Sequence, residues 1–164
     1  MAVVGLFYGS DTGNTENIAK MIQKQLGNEL VDIRDIAKSS KEDIEGYDFL
    51  LFGIPTWYYG EAQADWDDFF PTLEEIDFTD KLVGIFGCGD QEDYADYFCD
   101  AIGTVRDIVE PRGAIIVGNW STDGYTFEAS KAVLDDGNFI GLCIDEDRQP
   151  ELTAERVEKW TKQI

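Results

Sequence analysis

Apolar positions along this chain change period several times, and each change marks an element. Residues 3 to 8 are apolar without a break, the pattern of a central strand covered on both faces. From 14 to 26, Ile18, Met21, Ile22 and Leu26 recur at helical spacing, and Gly27 supplies the stop. Residues 30 to 33 alternate, as a strand nearer a sheet edge does, whereas 48 to 54, past Asp48, and 82 to 86 are again apolar. Between them, Trp66, Phe69, Phe70, Leu73 and Ile76 predict a helix over 65–76 with an acidic outer side, which Pro71 should end or kink early. A second helical run starts at Tyr94 and carries Phe98, Ala101, Ile102, Val105, Ile108 and Val109 toward Pro111. Two short apolar strands, 114–117 and 139–144, flank a mostly polar stretch of about 118–138 that reads as an insertion splitting one last strand. A final amphipathic helix starts at Thr153 or Ala154, presents Val157, Trp160 and Ile164 on one side, and has no cap after it, consistent with a truncated end. Strands that alternate with helices predict right-handed βαβ crossovers and a parallel sheet between two helix layers.

Length fits this picture, since 164 residues with 43% hydrophobic content suffice for one domain, 1–164, that buries a full sheet. Charge adds a constraint: 34 acidic against 13 basic residues give a net charge of −21, which repels nucleic acid and anionic membranes and favours basic proteins as partners. The same acidic surface is equally consistent with a solubility device. No run approaches the length of a membrane span, and the opening residues lack a basic start and cleavage site, so a cytoplasmic location is expected. Cys88, Cys99 and Cys143 are widely spaced, without a C-x-x-C pair, and read as reduced thiols. With no His anywhere, transition-metal sites and Ser-His-Asp or Cys-His catalysis are not expected.

The chemistry concentrates in the loops that follow strands. After the first comes Gly9-Ser10-Asp11-Thr12-Gly13-Asn14-Thr15, three hydroxyls and two glycines at a helix start. Unpaired N–H groups and the positive end of the helix dipole make this a phosphate cradle; the same residues also serve as an ordinary helix cap. No Lys follows, unlike the loop of P-loop nucleotide enzymes, so neutral donors would hold the phosphate, and Asp11 suits a monophosphate better than a Mg²⁺-triphosphate. The strand ending near Ile54 is followed by Pro55-Thr56-Trp57-Tyr58-Tyr59-Gly60, whose three adjacent aromatics cannot all enter the core and are suited to meet a flat ring. A third loop, Gly87-Cys88-Gly89-Asp90-Gln91-Glu92-Asp93-Tyr94, ends in another aromatic. In an open parallel sheet such loops share one edge, and the crevice where strand order reverses is the usual ligand site.

A ligand with a phosphate at one end and a flat ring at the other is the outline of flavin mononucleotide (FMN). Gly-Ser-Asp-Thr-Gly-Asn-Thr-Glu at 9–16, Pro-Thr-Trp-Tyr-Tyr-Gly-Glu at 55–61 and Gly-Cys-Gly-Asp-Gln-Glu-Asp-Tyr-Ala-Asp at 87–96 resemble the motifs of flavodoxins. Trp120-Ser121-Thr122-Asp123-Gly124-Tyr125 resembles the segment that marks the long-chain type, and the full sequence closely resembles the flavodoxins of enteric bacteria. The resemblance implies an α/β, three-layer doubly wound, five-stranded parallel sheet. Flavodoxin is itself the standard example of the order 2-1-3-4-5 with FMN at the switch point, so that order comes with the resemblance and not from the pattern.

Carried onto this chain, the resemblance implies that Ser10, Asp11, Thr12, Gly13, Asn14 and Thr15 bind the FMN phosphate and that Trp57 and Tyr94 sandwich the isoalloxazine. It places Pro55, Tyr58 and Gly60 around the ring, Thr56 and Asp147 on the ribityl chain, and backbone groups of Tyr59, Cys88, Gly89 and Asp90 at the polar ring edge. Tyr97 is a further candidate for that edge or for packing. Many flavodoxins carry Thr where this chain has Asp11, and Gly where it has Tyr58 or Tyr59, so the ring-side peptide is expected to be less free to turn toward the flavin. The implied role is a monomeric, low-potential one-electron carrier cycling between semiquinone and hydroquinone, without substrate turnover of its own. Its implied partners are a ferredoxin/flavodoxin–NADP⁺ reductase and basic acceptor enzymes. Acidic residues such as Glu61, Asp65, Asp67, Asp68, Asp90, Glu92, Asp93 and Asp96 would oppose the anionic, fully reduced ring. At ~10 Å in water each charge contributes on the order of 0.4 kcal/mol before screening. Two other functions define the contrast: an FMN-dependent quinone reductase, which needs one open flavin face, and a phosphoacceptor signalling domain, which needs an Asp where this chain has Pro55-Thr56-Trp57.

Overall fold

A computed structural model describes residues 3–10, 13–57 and 60–164. In chain order its elements are β1 (Val4–Tyr8), α1 (Asn14–Leu26), β2 (Val31–Asp35), α2 (Lys41–Glu45), β3 (Phe49–Gly53), β4 (Thr56–Trp57), β5 (Glu61–Ala62), α3 (Ala64–Leu73), β6 (Leu82–Cys88), α4 (Asp100–Val109), β7 (Ile115–Val117), β8 (Leu142–Ile144) and α5 (Thr153–Gln163). The main sheet has the order β2-β1-β3-β6-β7, with β8 also on β6, and all its pairings are parallel. Strand β7 pairs with Leu82–Gly84 and β8 with Phe86–Cys88, so the two pieces follow one another along β6 as the expected split strand.

The unbroken apolar runs of the central strands follow from a core on each side of the sheet. Phe7, Leu50, Phe52, Val83 and Ile85 join the core that contains residues of α3 and α4, whereas Val4, Leu6, Leu51 and Phe86 join the one that contains residues of α1 and α5. Successive residues of a strand point to opposite faces, so both must be apolar when both faces are covered. Strand β2, at the sheet edge, alternates in burial, as its sequence predicts.

Several boundaries differ from expectation. The helix over 65–76 stops at Leu73, with Pro71 inside its last turn, and the following residues continue as single turns, Glu75 N–H to Thr72 O and Ile76 N–H to Leu73 O. The helical run from Tyr94 is broken: a short 3-10 turn spans Ala95–Tyr97, Phe98 is extended, and α4 begins only at Asp100, after Cys99 at φ 54°. Periodicity carries across that break because Phe98 and Ala101 are both buried, although one is not helical. Helix α2, held by a reciprocal Ser40–Asp43 capping box, and the two-residue hairpin β4–β5 were too short to leave a period. Among the described residues no helix is long and apolar enough to cross a membrane.

The polar stretch between β7 and β8 packs closely despite its composition. Trp120, Tyr125 and Phe127 lie against the α3/α4 core, and the rings of Tyr125 and Phe127 approach that of Phe98 at 5.8 and 5.4 Å between centroids. Backbone N–H groups of Glu128 and Ala129 donate to Ala95 O at 2.8 and 3.0 Å, and Phe98 N–H donates to Ala129 O. The insertion thus grips the segment immediately after Tyr94.

Candidate functional site

The carboxyl ends of β1, β3, β6 and β8 surround one cleft at the point where the chain reverses its order across the sheet. Ser10, Asn14, Thr15, Pro55, Thr56, Trp57, Cys88, Gly89, Asp90, Tyr94, Glu146 and Asp147 line it.

One end of the cleft is the start of α1. Gly13 sits before the helix at φ 90°, a left-handed conformation that glycine adopts without strain, and among the described residues no side chain caps the first turn. The Gly13 N–H instead donates to Ser10 Oγ at 3.0 Å, while Ser10, Asn14 and Thr15 face the cleft. An uncapped helix start beside hydroxyl and amide side chains is chemically suited to an anionic oxygen group.

The middle is formed by Thr56 and Trp57. Thr56 Oγ1 accepts the N–H of Ala101, in the first turn of α4, at 2.9 Å, so its own O–H is free to donate. Trp57 Nε1 is buried and has no hydrogen-bond partner among the described residues. A buried N–H without a partner costs ~1–3 kcal/mol, which a ligand acceptor in the cleft would recover. Gly60, at φ 86°, does not line the cleft; a Cβ there would lie 2.7 Å from Asp100 Oδ2. Burial raises the carboxyl of Asp100, against the opposing effect of the Lys131 N–H it accepts.

Tyr94, Asp90 and Asp147 form the far end. Burial works against ionisation of Asp90, but N–H groups of Asp93 and Glu92 and the Arg148 guanidinium outweigh it and hold this carboxyl below the usual range. Asp147 is shifted upward, first by burial and then by the charges of Asp90 and Asp145. Burial also pushes the Cys88 thiol up, so it is a neutral wall of the cleft, with Thr15 Oγ1 donating to its sulfur at 3.6 Å. Tyr97, which ends the 3-10 turn Ala95–Tyr97, is not among the residues that line the cleft.

Eleven of the residues expected at the site therefore border one space, Gly13 precedes α1 at its edge, Gly60 does not line it, and Asp11, Thr12, Tyr58 and Tyr59 lie outside the described residues. Glu146 was missed, as were Asp145 and Arg148 behind it. Their signal was the acidic turn 145–148 directly after the apolar residues of β8, a fourth strand end like the other three.

Fold and cleft together define a doubly wound α/β protein with a candidate ligand site at its topological switch point. The flavodoxin family model matches residues 6–160, and the chain belongs to the flavodoxin family. It is 90% identical to the flavodoxin of Haemophilus influenzae and 78% identical to flavodoxin 1 of Escherichia coli K12, in each case over its full length and over 94% and 93% of the relative. A crystal structure of Fusobacterium nucleatum flavodoxin bound to flavin mononucleotide superposes with a TM-score of 0.92 at 38% identity, covering 99% of this chain and 96% of that one.

Proposed function

We propose that this flavodoxin binds FMN in the cleft and carries single electrons at low potential from a reductase to acceptor enzymes, as one FMN-binding unit spanning the chain and as a monomer. The observation that carries the reading is the meeting, in one cleft, of a helix start and a buried indole N–H that are uncapped and unpaired among the described residues. Its support from relatives is the F. nucleatum protein, whose structure contains FMN.

In this reading Ser10, Asn14, Thr15 and the first turn of α1, together with Asp11 and Thr12, hold the phosphate. Thr56 and Asp147 meet the ribityl chain. Trp57 and Tyr94 flank the isoalloxazine, with Tyr58, Tyr59 and the 88–90 backbone at its polar edge. FMN, when bound, supplies the one-electron chemistry; the protein supplies orientation and a negative surround that disfavours a reduced, anionic ring. Arg148 moderates that field, since it pairs with Asp90, Glu92 and Asp93 at 3.2, 3.3 and 2.9 Å. The acidic surface would steer a basic partner, such as a ferredoxin/flavodoxin–NADP⁺ reductase, toward the exposed edge, and this docking would weaken with salt.

Titration of the apoprotein with FMN and with riboflavin, which lacks the phosphate, tests the site. Tight FMN binding with riboflavin at least about tenfold weaker is expected, from the loss of charge-assisted hydrogen bonds at α1. Equal affinities would remove the phosphate from the start of α1.

A further inference from the structure

Gln91 lies beside the cleft without lining it, and only 7% of its surface is exposed. Its side-chain amide is used at both ends. Nε2 donates to Asp145 Oδ2 at 2.9 Å and to Gln149 Oε1 at 2.8 Å, and Oε1 accepts the backbone N–H of Thr126 at 2.6 Å. Only this orientation fits, because the reverse would set an amide oxygen against a carboxylate and an N–H against an N–H.

Asp145, fully buried, completes the junction. Its Oδ2 also accepts the Gln91 backbone N–H at 2.9 Å, and its Oδ1 accepts those of Asp147 and Arg148 at 3.1 and 2.9 Å. Three segments that are distant in sequence meet here: the turn after β6, which carries Asp90 and Tyr94; the turn after β8, which carries Asp147; and the insertion, through Thr126.

We propose that Gln91 is a positioning residue for the flavin: by joining Asp145, Gln149 and the Thr126 backbone, it lets the insertion set the spacing of Tyr94 and Asp147 across the cleft. The inference rests on the placement of the flavin in this cleft. A buried network of this kind holds its segments in one arrangement only while every member is satisfied.

Two substitutions separate positioning from mere bulk. Gln91→Leu keeps apolar volume and removes every side-chain hydrogen bond. Gln91→Glu keeps the shape and, while protonated, can still donate to Asp145 and accept from Thr126; once ionised, it confronts Asp145 with a like charge. The other charged groups around this amide are Asp90 and Glu92 on its own turn and Asp147 and Arg148 on the facing one, whereas Thr126 and Gln149 are neutral. All four of those charges are present in the unaltered protein, so affinities are compared with it at each pH.

FMN dissociation constants would be measured for the three apoproteins at about pH 5.5 and about pH 8.5. Relative to the unaltered protein, Gln91→Leu should bind about tenfold or more weakly at both, and Gln91→Glu within about threefold at the lower pH but about tenfold or more weakly at the higher. Equal affinities for all three, or a Gln91→Glu deficit that does not change with pH, would overturn the proposal. Hydrogen exchange on the unaltered protein needs no variant to fold: FMN should slow the Gln91 and Thr126 amides, and a Thr126 amide indifferent to FMN would overturn it as well. Failure of the unaltered apoprotein to bind FMN would defeat the site reading and this inference together, whereas normal binding by the variants would defeat only the inference.

Discussion

Thr56 Oγ1 accepts the Ala101 N–H at 2.9 Å, which ties the loop after β3 to the first turn of α4 and commits the threonine hydroxyl to donate toward the cleft. Thr56→Ser should preserve both functions. Thr56→Val should weaken FMN binding about tenfold and destabilise the apoprotein by ~1 kcal/mol, the net worth of a typical hydrogen bond. Calorimetric titration and thermal melts of the two variants check this.

Trp57 Nε1 is the orphan of the site. Replacement by Phe keeps an aromatic face and deletes the unpaired donor. The apoprotein should then be as stable as before or more so, while FMN binding weakens about tenfold for the loss of a hydrogen bond to the ligand. A melt of the apoprotein and an FMN titration, read together, check that the stability and affinity effects have opposite signs.

Arg148 bridges three carboxylates at the ring-side turn. Arg148→Gln should lower the more negative of the two flavin potentials by on the order of 20 mV, the effect of one charge ~10 Å away in water, and the shift should shrink as salt is added. Potentiometric titration at two ionic strengths checks it. The variant also tests pH dependence. Because the folded-state pKa of Asp90 lies below its unfolded value, its contribution to stability is complete above about pH 4 and is lost as pH falls through the folded value. Arg148→Gln should reduce that acid-side loss, so the melting curves of variant and unaltered protein should converge in acid.

The Tyr125 hydroxyl accepts the Trp120 indole N–H at 2.9 Å and donates to Cys143 O, pinning the insertion to β8. Tyr125→Phe leaves a donor and an acceptor without partners and should cost ~1–3 kcal/mol, measured by denaturant unfolding. Gly141→Ala should be worse, since its Cβ would stand 1.8 Å from Ile85 O where the insertion returns to the sheet. A loss above ~4 kcal/mol, or no folded protein, is expected.

Much of the fold was legible because burial on both faces of a parallel sheet leaves its mark on consecutive residues. Leu6 and Phe7 had to be apolar whichever layer each one entered, so β1, β3 and β6 could be read directly, and α1 and α5 from single apolar faces. The same averaging hid what is short or local. Helix α2 rests on one capping box, and the start of α4 was obscured because Phe98 and Ala101 are both buried through different backbone conformations.

The sequence by itself determined the alternation of strands and helices, the split last strand, the neutral-donor loop at the start of α1 and the aromatics at two further strand ends. These depend on residue type and neighbouring positions, which local chemistry constrains. Only the tertiary structure decided that Glu146 joins Asp147 in the wall after β8, that Arg148 offsets three of the acidic residues at the ring-side turn, and that the insertion grips the segment after Tyr94. The physical reason is separation along the chain. Gln91 lies 54 residues from Asp145 and 35 from Thr126, and no pattern in one segment encodes a hydrogen bond whose other half is placed by a different strand of the sheet.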